Sequence, residues 1–219
     1  VNHYKKRLEE GSSIKGKAMF VCSSREIAYN LYQEILAIKP DWNEVKSFEE
    51  GAILTSKEKR EIKPMPRVKM IMTRNQNDPK ELYDLLGNKD YRKELDRQFK
   101  IANSNFKIAI VVDMWLTGFD APCAHTMYVD KIMKGHNLMQ AIARVNRIFE
   151  DKPNGLVVDF IGISGFLATA TKKYTSGGGK GKPTINIDAA VELCLEQFEK
   201  VMDLVGNFSI EAINAMSAT

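Results

Sequence analysis

The sequence predicts an α/β domain built on a mostly parallel β-sheet with helices on both faces. Two observations carry this. Short apolar runs alternate along the chain with segments of helical periodicity, and several of the runs are apolar throughout rather than alternating, as strands buried on both faces are. The strongest of these is Lys107 to Asp113 (KIAIVVD).

The elements follow in order. Residues 1–10 read as the end of a helix. Because the chain begins with Val1 rather than Met, a fragment is expected. Lys17 to Cys22 (KAMFVC) reads as a buried strand, and Arg25 to about Ile38 as a helix with Ile27, Leu31 and Ile35 recurring every fourth residue. Pro40 ends it. Lys46 to Phe48 forms a candidate short strand, and Lys57 to Lys63 a charged, solvated segment. Val68 to Thr73 (VKMIMT) is a second buried strand. Asp78 and Pro79 are expected to open a helix as N-cap and first helical residue. A further helix runs from about Tyr91 to Ile101. After the 107–113 strand come strands at Thr126 to Asp130 and Gly155 to Ile161, separated by a helix over about Leu138 to Phe149.

Beyond this block the composition changes. Residues 166–186 include a Gly/Lys-rich stretch (KKYTSGGGKGKPT, 172–184) that reads as a flexible linker. Residues 187–219 read as the start of a helical region, with Val191, Leu195, Phe198 and Met202 on one face. The expected organisation is therefore a domain at 1–165, a linker at 166–186 and a helical segment at 187–219.

Composition narrows the function classes. With 44% hydrophobic residues the chain can bury a sizeable core, and a net charge of +4 permits a polyanionic partner without demanding one. The three cysteines, Cys22, Cys123 and Cys194, have no paired spacing. Disulfide scaffolds are thus excluded and a cytoplasmic location is favoured. No run of about 20 apolar residues is present to span a membrane. His3, His125 and His136 lack metal-ligand spacing, so no metal site is expected.

Open parallel sheets place ligands beyond the carboxyl ends of their strands. Three polar clusters fall there: Ser23-Ser24-Arg25, Thr73-Arg74 and Leu116 to Asp120 (LTGFD). Ser23 and Ser24 can bind phosphate or simply cap a helix. Thr73 and Arg74 can contact a ligand or form an ordinary loop. In the third cluster Gly118 permits close backbone approach, Thr117 offers a hydroxyl, and Asp120 can accept from a ribose or an arginine; a plain turn is the alternative. The sharpest signal is Gln140-Ala-Ile-Ala-Arg144-Val-Asn-Arg147. At 3.6 residues per turn Gln140, Arg144 and Arg147 share a helix face, opposite Leu138, Ala141, Ile142 and Val145. Two permanently charged guanidinium groups on a rigid helix suit the clamping of phosphates; a solvated face is the alternative. A Walker A loop is absent. The nearest approach lacks a glycine five residues before Gly181, where Ser176 stands, and a hydroxyl after Lys182, where Pro183 stands. No Asp-Glu pair exists for a DExx box.

DMWLTGFDAP (113–122) and NLMQAIARVNRIF (137–149) resemble motifs V and VI of superfamily 2 helicase-like motors. Together with GLVVDFIG (155–162) and the motif IV-like KAMFVCSSREIA (17–28), they resemble the motor (R) subunit of Type I restriction enzymes over about residues 15–165. The resemblance implies a RecA-like three-layer domain, the second of two motor lobes, with ATP and Mg2+ held mainly by a first lobe. It implies that Arg144 and Arg147 reach the ATP phosphates as arginine fingers, and that Gln140 binds nucleotide or positions water. Gly118 and Asp120 would couple the cleft to DNA, and Ser23, Ser24, Thr73 and Thr117 would touch DNA phosphates. The implied partners are double-stranded DNA, the first lobe and nuclease domain of the same subunit, and methyltransferase and specificity subunits. The other possible readings are a lobe of another superfamily 2 translocase or a stand-alone phosphate-binding module.

Overall fold

A computed structural model describes residues 1–9, 16–49, 51–147, 155–163, 165 and 166. The expected linker and C-terminal helical segment, from residue 167 on, lie outside the described residues.

Five strands form one sheet in the order β2-β3-β1-β4-β5, and every neighbouring pair is parallel. They are β1 (Lys17–Cys22), β2 (Val68–Ile71), β3 (Ile108–Val111), β4 (Ala124–Asp130) and β5 (Leu156–Asp159). β3 (IAIV) is an apolar run buried at every position, β2 (VKMI) is buried throughout although it contains Lys69, and β5 is only half-buried. Side chains alternate across β1. Met19 and Val21 join the core layer that receives α5 (Lys89–Lys100) through Leu95 and Phe99, and α6 (Gly135–Val145) through Leu138, Ala141 and Val145. Ala18 and Cys22 join the opposite layer. There they meet α1 (Asn2–Glu9) through Tyr4, α2 (Arg25–Ile38) through Ala28, Tyr32 and Ile35, and α4 (Lys80–Leu86) through Leu82 and Leu86. Helices therefore cover both faces, which is the three-layer α/β class the sequence predicts. No helix among the described residues is long and apolar enough to cross a membrane.

Local chemistry explains the boundaries. Ser24 caps α2 by accepting from the Ile27 N–H at 3.2 Å, and Asn88 caps α5 by accepting from the Tyr91 N–H at 2.8 Å. The charged segment near residue 60 is a short helix, α3 (Ser56–Glu61), with no buried residue and a capping box between Thr55 and Glu58. The candidate strand at 46–48 forms only isolated bridges, Lys46 to Met65 and Phe48 to Ser104. The expected cap at Asp78 is not made. Pro79 precedes α4 without a side-chain cap, because the Asp78 carboxylate is taken by the Asn75 N–H and by Arg25. α6 also differs from expectation, beginning at Gly135 and ending at Val145.

Lys17 is fully buried at the amino end of β1. Its Nζ donates to Phe106 O at 2.5 Å and Ser104 Oγ at 2.8 Å, with Gln98 O at 3.5 Å. Burial, reinforced by the neighbouring Lys107, pushes this amine well below its usual 10.5. The unfolded chain therefore binds a proton that the folded chain does not, across the interval between the depressed value and 10.5. Stability rises with pH there, at up to about 1.4 kcal/mol per pH unit. Cys22, pushed by burial from 9.0 to about 12, opposes this from about pH 9, and Tyr4, Tyr32 and Tyr128, each pushed up to about 12 by burial, oppose it from about pH 10. Unfolding titrations of the wild type and Lys17→Met below pH 10 should differ by this slope; parallel profiles would show that Lys17 stays charged in the fold.

Candidate functional site

The carboxyl ends of the five parallel strands point to one edge of the sheet. Ser23 and Ser24 follow β1, Thr73 follows β2 and the 113–120 loop follows β3, so the candidate residues read from sequence gather on that edge. Ser23, Thr73 and Thr117 are exposed; Ser24 is half-buried and serves as a cap. Cys22 lies at the same edge, but burial and then Asp130 push its thiol up to about 12, so it stays protonated and is no nucleophile.

The 113–120 loop is fixed from below by aromatic packing. Trp115 and Phe119 are buried and stack at 4.0 Å between ring centroids with their planes 6° apart; Phe99 lies 5.2 Å from Trp115. Trp115 takes φ 69°, a left-handed conformation that costs a bulky residue about 1–2 kcal/mol. It persists because the buried indole outweighs that cost. Gly118, also at φ 69°, has nothing within 4 Å of a built Cβ, so glycine is required here by conformation rather than by space.

From above, the loop is held by arginine. Arg144 Nη1 donates to Phe119 O at 2.5 Å, and its Nε lies 3.4 Å from Leu116 O. Arg147 pairs with Asp120 at 2.9 Å, with side chains 43% and 56% exposed. The structure thus unites Arg144, Arg147, Gly118 and Asp120. It does so by a different route from the one expected for Arg147, which lies beyond α6 rather than on its face. Asn146, at φ −87° and ψ 57°, leaves the helical region after its N–H closes the last turn onto Ile142 O. Gly155, which leads into β5, packs so closely on the end of α6 that a Cβ would sit 2.1 Å from Val145 O. Gln140 is not drawn into this group; its Nε2 lies 2.5 Å from His136 Nε2.

Beside Thr117 lies an open cleft of about 490 Å³, also lined by Asp113, Lys131, Lys134 and Asn137. Lys131 bonds to Asp113 Oδ1 at 2.5 Å and Val112 O at 3.1 Å. Sequence reasoning missed the two lysines, which stand singly after β4 in no recognisable pattern; only their position beyond a strand end marked them. Among the described residues, no group of three His, Cys, Asp or Glu side chains is placed to hold a metal ion.

Comparison with known proteins identifies the setting of this site. The chain is 42% identical over 207 residues to the Type I restriction enzyme HindI endonuclease subunit of Haemophilus influenzae, covering 93% of this chain and 18% of that protein. It is 37% identical over 219 residues to the type I restriction enzyme MjaIXP endonuclease subunit of Methanocaldococcus jannaschii, covering 100% of this chain and 18% of that protein. The chain therefore spans about a fifth of the length of these curated relatives. Among solved structures, a fragment of an HsdR subunit of a type I restriction enzyme from Vibrio vulnificus matches with a TM-score of 0.44 at 16% identity, over 84% of this chain and 29% of that one. Residues 14–162 match the family described as Type I restriction enzyme subunit R domain 3, and the chain belongs to that family.

Proposed function

We propose that this domain is the second motor lobe of a DNA-translocating restriction subunit, supplying the arginine side of an ATP cleft and one wall of a double-stranded DNA track. The observation that carries the reading is the convergence of Arg144 and Arg147 on the 116–120 loop at the carboxyl edge of a parallel sheet. ATP is the substrate. Its phosphates meet Arg147 foremost and Arg144 behind it, with Gln140 binding nucleotide or positioning the attacking water. The Arg147–Asp120 pair is exposed on both sides, and such pairs contribute about 0–1 kcal/mol, so a polyphosphate can displace Asp120 at little cost. Arg144, tied to two loop carbonyls, stays with the loop and carries the arrival of charge to Gly118, Asp120 and Thr117.

On the DNA side, Ser23, Ser24, Thr73 and Thr117 touch phosphates. Contacts of that kind position a duplex without reading its sequence, as a motor that steps along any DNA requires. The first lobe and nuclease domain of the same subunit hold Mg2+ and cut, specificity and methyltransferase subunits choose the site, and the assembly works in the cytoplasm. The 219-residue chain purified alone has neither a Walker A loop nor a DExx box and is expected to show no ATP hydrolysis above background. Robust turnover in a steady-state ATPase assay would mean that the catalytic half lies within this chain and would overturn the reading.

A further inference from the structure

Ser23 and Thr73 leave the sheet from β1 and β2, which are not neighbours, since β3 lies between them. The spacing of their two loops is therefore not set by a shared ladder. Arg25, the first residue of α2, spans the gap. Its Nη1 donates to Thr73 O at 2.8 Å and its Nη2 to Asp78 Oδ2 at 2.5 Å. The same Asp78 oxygen accepts the Asn75 N–H at 2.7 Å, and the Asp78 side chain is only 7% exposed. Asn75 Oδ1 in turn accepts the Asn77 N–H at 3.1 Å. Arg74 fastens the loop from the other side, donating from Nε to Tyr83 O at 2.8 Å with its guanidinium 4.3 Å above the Tyr83 ring. Yet Thr73, Asn75, Gln76 and Asn77 are all exposed. A loop of hydroxyl and amide side chains is thus held by a forked guanidinium and a buried carboxylate, while presenting to solvent hydroxyl and amide groups whose O–H and N–H can donate hydrogen bonds to phosphate oxygens.

We propose that Arg25 is a positioning residue for DNA. By bridging α2 to the 73–78 loop it fixes the distance between Ser23 and the Thr73 to Asn77 side chains, so that both loops meet phosphates of one duplex at once. The inference rests on the reading of this edge as a DNA track and adds to it the exposed amides of Asn75, Gln76 and Asn77 as backbone contacts. Arginine is required because a fixed fork holds two acceptors together; an ammonium is a point charge and cannot.

The test uses the full-length subunit assembled with its partner subunits. Arg25→Ala, Arg25→Lys and Asp78→Asn are compared with wild type in DNA-stimulated ATP turnover and in DNA affinity across a salt series. KM for DNA should rise about tenfold in Arg25→Ala and nearly as far in Arg25→Lys, while kcat at saturating DNA stays within about twofold. The slope of log affinity against log salt should stay unchanged, because the hydroxyl and amide contacts that Arg25 positions are neutral and release no counterions; a slope shallower by about one in Arg25→Ala alone would make Arg25 itself a phosphate ligand and overturn the positioning role. Asp78→Asn keeps an oxygen for Asn75 and should fall between. Should Arg25→Ala fail to fold, Arg25→Lys and Asp78→Asn decide the matter. An unchanged KM in both, or a fall in kcat with KM unchanged, overturns the positioning role. A wild-type assembly whose ATP turnover ignores DNA sinks the motor reading itself, a separate outcome.

Discussion

Replacing Arg147 with alanine in the full-length subunit is expected to lower DNA-stimulated ATP turnover by about 10³–10⁵-fold while leaving ATP binding nearly intact. The size follows from where the charge acts. A guanidinium beside a transferring phosphoryl group stabilises charge that develops only in the transition state, so its loss appears in kcat rather than in ground-state affinity. Arg147 is suited to this because it lies outside the helix and its only described ion pair, with the exposed Asp120, is weak. Arg147→Lys keeps the charge but loses the fork and should recover only a small part of the rate. Initial-rate measurements over a range of ATP concentrations separate the two parameters. A raised KM with wild-type kcat would place Arg147 in uniform binding rather than in chemistry.

Replacing Trp115 with alanine is expected to destabilise the domain by about 3–5 kcal/mol, the range for removing a large buried aromatic side chain. Trp115 is 7% exposed, stacks on Phe119 and contacts Phe99 and Phe106. Alanine would empty that space and leave the left-handed φ of 69° unrelieved, since only glycine adopts it without strain. Trp115→Phe retains a ring for the stack and should cost less than half as much. Denaturant unfolding of the 219-residue chain measures both. A loss below about 1 kcal/mol for Trp115→Ala, within the range of surface substitutions, would mean that the aromatic cluster does not hold the loop. In the full-length subunit the same variant should loosen the carbonyls that receive Arg144, coupling a core defect to the ATP cleft.

The sheet was legible in the sequence because its strands are short, largely apolar runs, interrupted only by a few polar residues that are themselves buried, such as Lys69 in β2 and Thr126 in β4. β1 and α2 match their expected limits residue for residue, β1 because all six residues pack between layers and α2 because Ser24 and Pro40 bracket it. Boundaries failed where a side chain had a stronger long-range partner than its local one. Asp78 is a good N-cap by type, but Arg25, 53 residues earlier, takes its carboxylate. Ile148 and Phe149, apolar residues that extend the period of α6 in the sequence, lie outside the described residues, and Asn146 ends the helix at Val145. Of the candidate site, the residue types and their strand-end positions were readable. The partners of Arg144 were not: they are backbone carbonyls of Leu116 and Phe119, 28 and 25 residues away, and carbonyls leave no mark in a sequence. The left-handed Trp115 was equally hidden, because it exists only against the core that Phe99 and Phe106 complete.

The most direct test of the arginine-side assignment is the affinity of the full-length subunit for a transition-state mimic, ADP with a metal fluoride, compared with its affinity for a non-hydrolysable ATP analogue. If Arg147 stabilises the transferring phosphoryl group, Arg147→Ala should weaken the mimic by about the same 10³–10⁵-fold as turnover while leaving the analogue largely unchanged. Equal losses for both ligands, or no loss for either, would contradict the assignment of this lobe as the arginine half of the ATP site.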